Sequence, residues 1–308
     1  MRKIKLGMIG MSAGNGHPYS WSAIINGYNA ERMQECPFPV IPQYLAKEKF
    51  PEAAIAGAEV THIWTQEIKL SQHIADATYI PNVVEHMEQM IPEIDAVLLA
   101  RDDADNHITM AKPFLEAGLP IYIDKPLVLK CLDVELLFSM QKYPGQIFTC
   151  SAFQYARELM EVEKKLSSKK IIHIDAHIKN DWNKYAIHLI EPIIKVIGHD
   201  ISVKHVDVIT TNTQKVANYL FSNGLTLQIK TFITSNVKPT LHFFSEDDVT
   251  TVVIQDAFFA FKAALEKFLV GIRDKQEITQ KNFVMRSIEL LESATMSKRC
   301  TYQPSHAQ

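Results

Sequence analysis

The sequence predicts an α/β protein: an N-terminal doubly wound parallel sheet, then an α+β part with a mostly antiparallel open sheet covered by helices on one face. Three observations predict it. Short apolar runs alternate with helical stretches through residues 1–152. The first of those runs ends in a glycine-rich loop that opens a helix. Beyond residue 152, strand-period alternation and hairpin turns replace the alternation of strands and helices.

Ile4 to Gly10 is a short apolar run ending at glycine, and Pro18 to Gly27 reads as a helix with proline in its first turn and glycine past its end. Val60 to Thr65 is the next strand, followed by helical stretches at Ser71 to Ala77 and at Val83 to Met90, where Val83, Met87 and Met90 share one side. Ala96 to Ala100, Ile121 to Ile123 and Ile147 to Ala152 are strands, separated by helices at Ile108 to Ala117, closed by Gly118, and at Val134 to Lys142. Parallel neighbours cannot be joined by hairpins, so strands separated by helices imply right-handed crossovers. Asn29 to Glu59 interrupts the pattern, with Cys36-Pro37-Phe38-Pro39 and Pro42 inside it. It is an insertion, either a surface excursion packed on the sheet edge or a lid.

The second domain, residues 153–308, opens with the alternating strand Ile171 to Ile178. Ile172, Ile174, Ala176 and Ile178 face one way, and Ile171, His173, Asp175 and His177 the other. Ala217 to Phe221 and Leu225 to Ile229 flank Ser222-Asn223-Gly224, and Leu241 to Phe244 and Thr250 to Ile254 flank Glu246-Asp247-Asp248; both pairs read as hairpins. With Val203 to Ile209 these strands form a sheet that helices at Ala186 to Ile197, Ala257 to Ile272 and Asn282 to Met296 can cover on one face. The open face predicts a homo-oligomer through this sheet.

Of the 308 residues, 47% are hydrophobic and 22% charged, which supplies a core and argues against disorder. Lys plus Arg number 32 against 35 Asp plus Glu, so no electrostatic footprint for nucleic acid or anionic lipid is expected, and a small-molecule partner is favoured. Lys164, Lys165, Lys169 and Lys170 around Ser167 and Ser168 read as a solvated turn. Cys36, Cys131, Cys150 and Cys300 are widely separated with no metal-ligand spacing, which fits a reducing cytoplasm. The run Leu6 to Met11 is too short for a signal-peptide core, and Lys262, Glu266 and Lys267 interrupt the greasiest helical stretch, so no membrane span is predicted.

Helix N-termini after parallel strands bind phosphate through unpaired N–H groups and the helix dipole. Gly10-Met11-Ser12-Ala13-Gly14-Asn15-Gly16-His17 is placed for that role, with Ser12 where a second glycine commonly stands; its hydroxyl can itself donate to a phosphate. The loop reads equally as an ordinary glycine-rich turn. At the second strand's end, where an acid commonly holds the ribose, the chain has Thr65-Gln66-Glu67; Gln66 can bond a hydroxyl, which leaves NAD or NADP open. Lys125, at a strand end in Asp124-Lys125-Pro126, faces the crevice where doubly wound sheets bind ligands. Arg101 and His107 lie in the loop after another strand, Ala100 to His107. His17 and His107 either contact a ligand or cap helices. His173, Asp175 and His177 share a strand face, but no metal site is predicted from them.

The ordered set Ala100 to His107, Leu115-Glu116-Ala117-Gly118 and Ile123-Asp124-Lys125-Pro126-Leu127 resembles the glucose-fructose oxidoreductase, inositol dehydrogenase and MocA (Gfo/Idh/MocA) family of NAD(P)-dependent oxidoreductases. The family's Glu-Lys-Pro motif is similar to Asp124-Lys125-Pro126. Ala152-Phe153-Gln154-Tyr155-Ala156-Arg157 is similar to the stretch crossing into its second domain, and His188 in Ala186 to Glu191 looks like its catalytic histidine.

The resemblance implies Gly10, Ser12, Gly14, Asn15, Gly16, Gln66, Arg101, His107, Asp124 and Lys125 at the cofactor, and Lys125, Gln154, Arg157, Lys184 and His188 at the substrate. It implies Lys125, His188 and Tyr185 in catalysis of hydride transfer with a sugar, polyol or related substrate. Where family members carry an aspartate four residues before the histidine and a glycine two before, this chain has Lys184 and Ala186, so Tyr185 and Asp181 are the available substitutes for the relay. Pro192, four residues after His188, predicts a kink there. The alternatives are a catalytically degenerate ligand-binding protein of the same fold, or a protein binding another phosphate-bearing ligand.

Overall fold

A computed structural model describes residues 2–296. The described residues divide into two compact units, one of residues 2–128, 132–152 and 257–281, the other of 129–131, 153–256 and 282–296.

The first unit is built on a parallel sheet ordered β3-β2-β1-β4-β5-β6, from strands β1 (Ile4–Ile9), β2 (Ala58–Trp64), β3 (Asn82–Val83), β4 (Ala96–Leu99), β5 (Ile121–Ile123) and β6 (Ile147–Phe148). Leu6 to Ile9 and Ala96 to Leu99 are buried throughout, as central parallel strands covered on both faces must be. Helix α1 (His17–Asn26) has Pro18 in its first turn and ends at Gly27, whose φ of 82° favours glycine. Because β2 and β4 lie on opposite sides of β1, the chain order reverses at the carboxyl ends of β1 and β4, and a crevice opens there.

The insertion folds into α2 (Ala30–Gln34) and α3 (Val40–Leu45), and Met33, Ile41 and Leu45 on these helices are buried. Phe38 and Ile41 stand so close to Gly16 that a Cβ there would lie within 2.6–2.8 Å of them. The insertion therefore buttresses the glycine loop, a role beyond that of a surface excursion. After α4 (Ile68–Thr78), the helix expected at Val83 to Met90 is instead β3 and a 3₁₀ turn, Met87–Glu93. Gln89 Oε1 accepts from the Glu85 and His86 amides and tightens that turn, and Pro92 disfavours α geometry at Ile91. Helix α5 (His107–Ala117) closes on left-handed Gly118, and α6 (Cys131–Ser139) begins and ends about three residues earlier than expected. The last strand is also short: its pairing with β5 ends at Phe148, opposite Tyr122, and the Thr149 amide donates to Thr279 Oγ1.

In the second unit the sheet order is β12-β11-β7-β10-β9-β8. Its strands are β7 (Ile171–Lys179), β8 (Val203–Thr210), β9 (Gln214–Phe221), β10 (Thr226–Phe232), β11 (Thr240–Ser245) and β12 (Val249–Val253). All pairs are antiparallel except β7 with β10. Both expected hairpins form. Helix α7 (Arg157–Ser167), absent from the sequence reading, buries Leu159 and Leu166. It carries Lys165 to Asp248, 2.7 Å away, while Lys169 and Lys170 reach Asp247, Asp248 and Glu246; the lysine cluster thus clasps the β11–β12 turn.

The helix expected at Ala186 to Ile197 is split at Ala186 into α8 (Trp182–Tyr185) and α9 (Ile187–Ile197), and α9 continues through Pro192. Helix α11 (Lys281–Met296) covers the sheet: Tyr219 donates to the Leu290 carbonyl, and Trp182 Nε1 donates to that of Leu291. Helix α10 (Ala257–Asp274), expected on the same sheet, belongs to the first unit, where Lys262 donates to the Ala53 carbonyl and Phe268 packs near Tyr122 and Phe148. Among the described residues no helix is long and apolar enough to cross a membrane, and Cys36, Cys131 and Cys150 are free thiols; Cys300 lies outside the described residues.

Candidate active site

The loops after β1, β4 and β5 are tied together by three acidic side chains. Ser12 Oγ donates to Asp102 Oδ1 at 2.6 Å and accepts from the Asp102 amide at 3.0 Å, so its hydrogen is spent on Asp102 and the expected phosphate donor is taken up within the protein. Asp102 Oδ2 lies 3.8 Å from Lys125 Nζ; both residues are buried, and Lys125 is 4% exposed. The sequence motifs give Asp102 no role. Its signal was a carboxylate directly after a buried strand, near a lysine that burial forces to find an opposite charge.

Asp124 is the second anchor. Its Oδ2 accepts from Asn15 Nδ2 at 2.8 Å and sits 2.6 Å from His17 Nδ1, and its Oδ1 accepts from the Lys125 amide. Asn15 Oδ1 in turn accepts from the His17 amide, and the His17 ring stacks on Trp21. His17 thus engages the Asp124 carboxylate, while His107 is fully buried with its two ring nitrogens 2.8 Å from the Leu127 and Arg101 carbonyls. His107 holds two loops together and has both nitrogens occupied by backbone.

Burial acts to raise the Asp124 carboxyl, but the neighbouring His17 and Lys125 outweigh it and hold it down at about 2. A carboxyl depressed on folding contributes stability that is present above its unfolded value and is lost as pH falls through the folded one. The wild-type protein should therefore lose on the order of 2 kcal/mol between about pH 4 and pH 2 through this group. Urea unfolding across that range, compared with Asp124→Asn, checks it; an equal acid loss in the variant would contradict the assignment.

The third carboxylate, Asp103, grips Arg101 in a two-point pair, Nε to Oδ1 at 2.8 Å and Nη2 to Oδ2 at 2.5 Å. Arg101 Nη1 donates to Gln66 Oε1 and to the Met11 carbonyl. Gln66 also accepts from the Met11 amide at 3.1 Å and donates to the Met11 carbonyl at 2.5 Å. Gln66, expected at a ribose hydroxyl, is thus engaged in holding the glycine loop.

These residues fit a dinucleotide. Gly14, at φ 82°, faces open space and leaves bare backbone for a phosphate to approach, while a Cβ at Gly10 would lie 2.3 Å from Pro18 and separate loop from helix. Beside Gln66 and Arg101 opens a cavity of about 460 Å³ at the ends of β2 and β4. Residues 4–151 match the model of the oxidoreductase family with an NAD-binding Rossmann fold. They form a Gfo/Idh/MocA-type NAD-binding domain.

No curated protein sequence matches the chain. Among solved structures, myo-inositol 2-dehydrogenase from Lactobacillus plantarum is similar in fold with a TM-score of 0.75 at 13% identity, over 96% of each chain. GenD2 from gentamicin A biosynthesis in complex with NAD gives 0.73 at 12%, over 96% of this chain and 94% of its own. Apo scyllo-inositol dehydrogenase from Lactobacillus casei gives 0.72 at 12%, over 95% and 96%.

In the second unit, His188 on α9 is buried, with its ring centroid 4.6 Å from that of Phe153 and 5.7 Å from that of Tyr185. Three residues on, buried Glu191 accepts from Gln154 Nε2 at 2.9 Å. Glu191 was missed as a site residue; an acid inside the apolar run Ile187 to Ile194 was its signal. Asp181 caps α8 by accepting from the Lys184 amide. Arg157 is exposed at the start of α7, 3.6 Å from Asp256. On the sheet, Asp175 pairs with Lys230 at 2.8 Å and His173 Nδ1 lies 2.8 Å from Thr226 Oγ1.

Proposed function

We propose that the protein is an NAD-dependent dehydrogenase that moves a hydride between nicotinamide and a carbinol carbon of a sugar, polyol or related small substrate. One observation carries this reading: a buried ammonium, Lys125, stands at the end of β5 beside Asp102, whose loop is joined by Ser12 to the glycine loop of an NAD-binding domain. Bound NAD supplies the hydride acceptor. As the hydroxyl loses its proton, negative charge grows on that oxygen, and the Lys125 ammonium stabilises it. The imidazole of His188 takes the proton as the carbon loses its hydride and the C–O bond becomes a carbonyl. Tyr185 orients the imidazole, and Gln154, Lys184 and Arg157 are assigned to the substrate's remaining hydroxyls. Glu191 positions Gln154.

The experiment is calorimetric titration with NADH, followed by an assay for NADH formation from NAD with a panel of inositols and aldoses. Binding together with turnover of at least one polyhydroxylated alcohol is expected. Binding without any turnover would leave a ligand-binding protein of the same fold, and failure of NADH to bind would remove the reading altogether.

We also propose that a second copy covers the open face of the β7–β12 sheet. Ile209, Leu220 and Val249 are exposed large apolar side chains of that face, set among polar residues such as the Asp175–Lys230 pair, and a like surface would bury them. Light scattering should give at least twice the chain mass of 35.0 kDa. A monomer at micromolar concentration would reject it.

A further inference from the structure

The cavity at the ends of β2 and β4 is lined by Trp64, Met87 and Met110, which offer an aromatic and thioether surface to a base, by Glu88, Arg101 and Gln66, and by His86 and Asn106. In doubly wound sheets the adenosine half of a dinucleotide lies at the end of the second strand, where an acid selects the ribose diol of NAD and an arginine accommodates the 2′-phosphate of NADP. This chain has no acid at the Gln66 position and has an arginine close by, a pattern that by itself favours NADP.

The bonding of Arg101 reverses that expectation. A guanidinium has five N–H donors. Two go to Asp103 and two, from Nη1, to Gln66 and the Met11 carbonyl, which leaves one. Its charge is matched by a carboxylate that Asn106 also holds, with Asn106 Nδ2 donating to Asp103 Oδ2 at 2.6 Å. Burial acts to raise the Asp103 carboxyl, and the bonds from Arg101 and Asn106 outweigh it and keep it below the ordinary range, so it stays ionised. Glu88 adds a negative charge to the cavity wall, and exposed Glu67 follows Gln66.

Resting on the NAD-binding reading above, we propose that Asp103 sets cofactor choice: by claiming Arg101 it leaves the adenosine cavity without an uncompensated guanidinium, so the protein takes NAD(H) and rejects NADP(H). A 2′-phosphate carries about −1.5 to −2 charge near neutral pH by analogy with other phosphomonoesters. Entering here, it meets Glu88 and an arginine with one donor to offer, whereas an uncharged 2′-hydroxyl needs only that donor.

The test is calorimetric titration of the intact protein with NADH and with NADPH at fixed ionic strength. NADH should bind at least about tenfold more tightly, which corresponds to about 1.4 kcal/mol. In Asp103→Asn, which keeps an acceptor but removes the charge, NADPH should gain affinity and the ratio should fall toward one. Glu88→Gln, at an exposed position, should move the ratio the same way by a smaller factor and serves if Asp103→Asn fails to fold. Equal or tighter NADPH binding by the wild type overturns the proposal, as does an unchanged ratio in the folded Asp103→Asn or, failing that, in Glu88→Gln. If neither cofactor binds, the dehydrogenase reading itself has failed.

Discussion

Lys125→Met is expected to lower kcat by about 10²–10³-fold, the range found when a charge-stabilising donor is removed from a reacting oxygen. Methionine matches the aliphatic stem and lacks the ammonium, so the loss is read as chemistry once the fold is shown to survive. Survival is not automatic. Lys125 and Asp102 are both buried, and deleting one member of a buried pair costs roughly 3–5 kcal/mol because the other charge is left uncompensated. The double variant Asp102→Asn/Lys125→Met removes both charges and should recover much of that stability. It should not recover turnover. Steady-state kinetics and thermal melts on the single and double variants separate the two contributions. If Lys125→Met stays within tenfold of wild-type kcat, the ammonium has no role at the reacting oxygen.

The same buried charges explain what the sequence could and could not disclose. Lys125 stood out because a lysine between the buried strand β5 and a proline has few structural uses. The parallel sheet was legible because its central strands are continuous apolar runs and its helices are closed by Gly27 and Gly118, signals that lie within a few residues of each other. The partners of Ser12 and Asn15 were not legible: Asp102 and Asp124 are 90 and 109 positions away, and only the reversal of strand order brings them to one crevice. Helix α10 was misplaced for a related reason. Its apolar stripe shows that it covers something, but periodicity does not say which sheet, and aromatic partners as distant as Tyr44 and Tyr122 decide the matter. The β3 segment failed locally instead, where the Gln89 side chain and Pro92 outweighed a helical spacing of Val83, Met87 and Met90.

His188→Gln should reduce kcat in the oxidative direction by about 10²–10⁴-fold, as loss of a general base does. Glutamine retains polar atoms of similar reach but cannot accept and release a proton at neutral pH, so binding of NADH should change little while turnover falls. The pH profile distinguishes a base from a packing residue. Wild-type kcat/KM for alcohol oxidation should fall on the acid side as the base becomes protonated, and the variant's residual rate should lose that dependence. A residue that only packed against Phe153, 4.6 Å away between ring centroids, would leave the shape of the profile intact and lower stability instead. The absence of a carboxylate four residues earlier sharpens the comparison, because Lys184 stands there and supplies no carboxylate to hold an imidazolium. Lys184→Asp should therefore move the acid limb to higher pH if His188 is the base, since a nearby carboxylate favours the protonated ring. An unmoved limb in Lys184→Asp, together with an unchanged profile in His188→Gln, would assign the proton to another group.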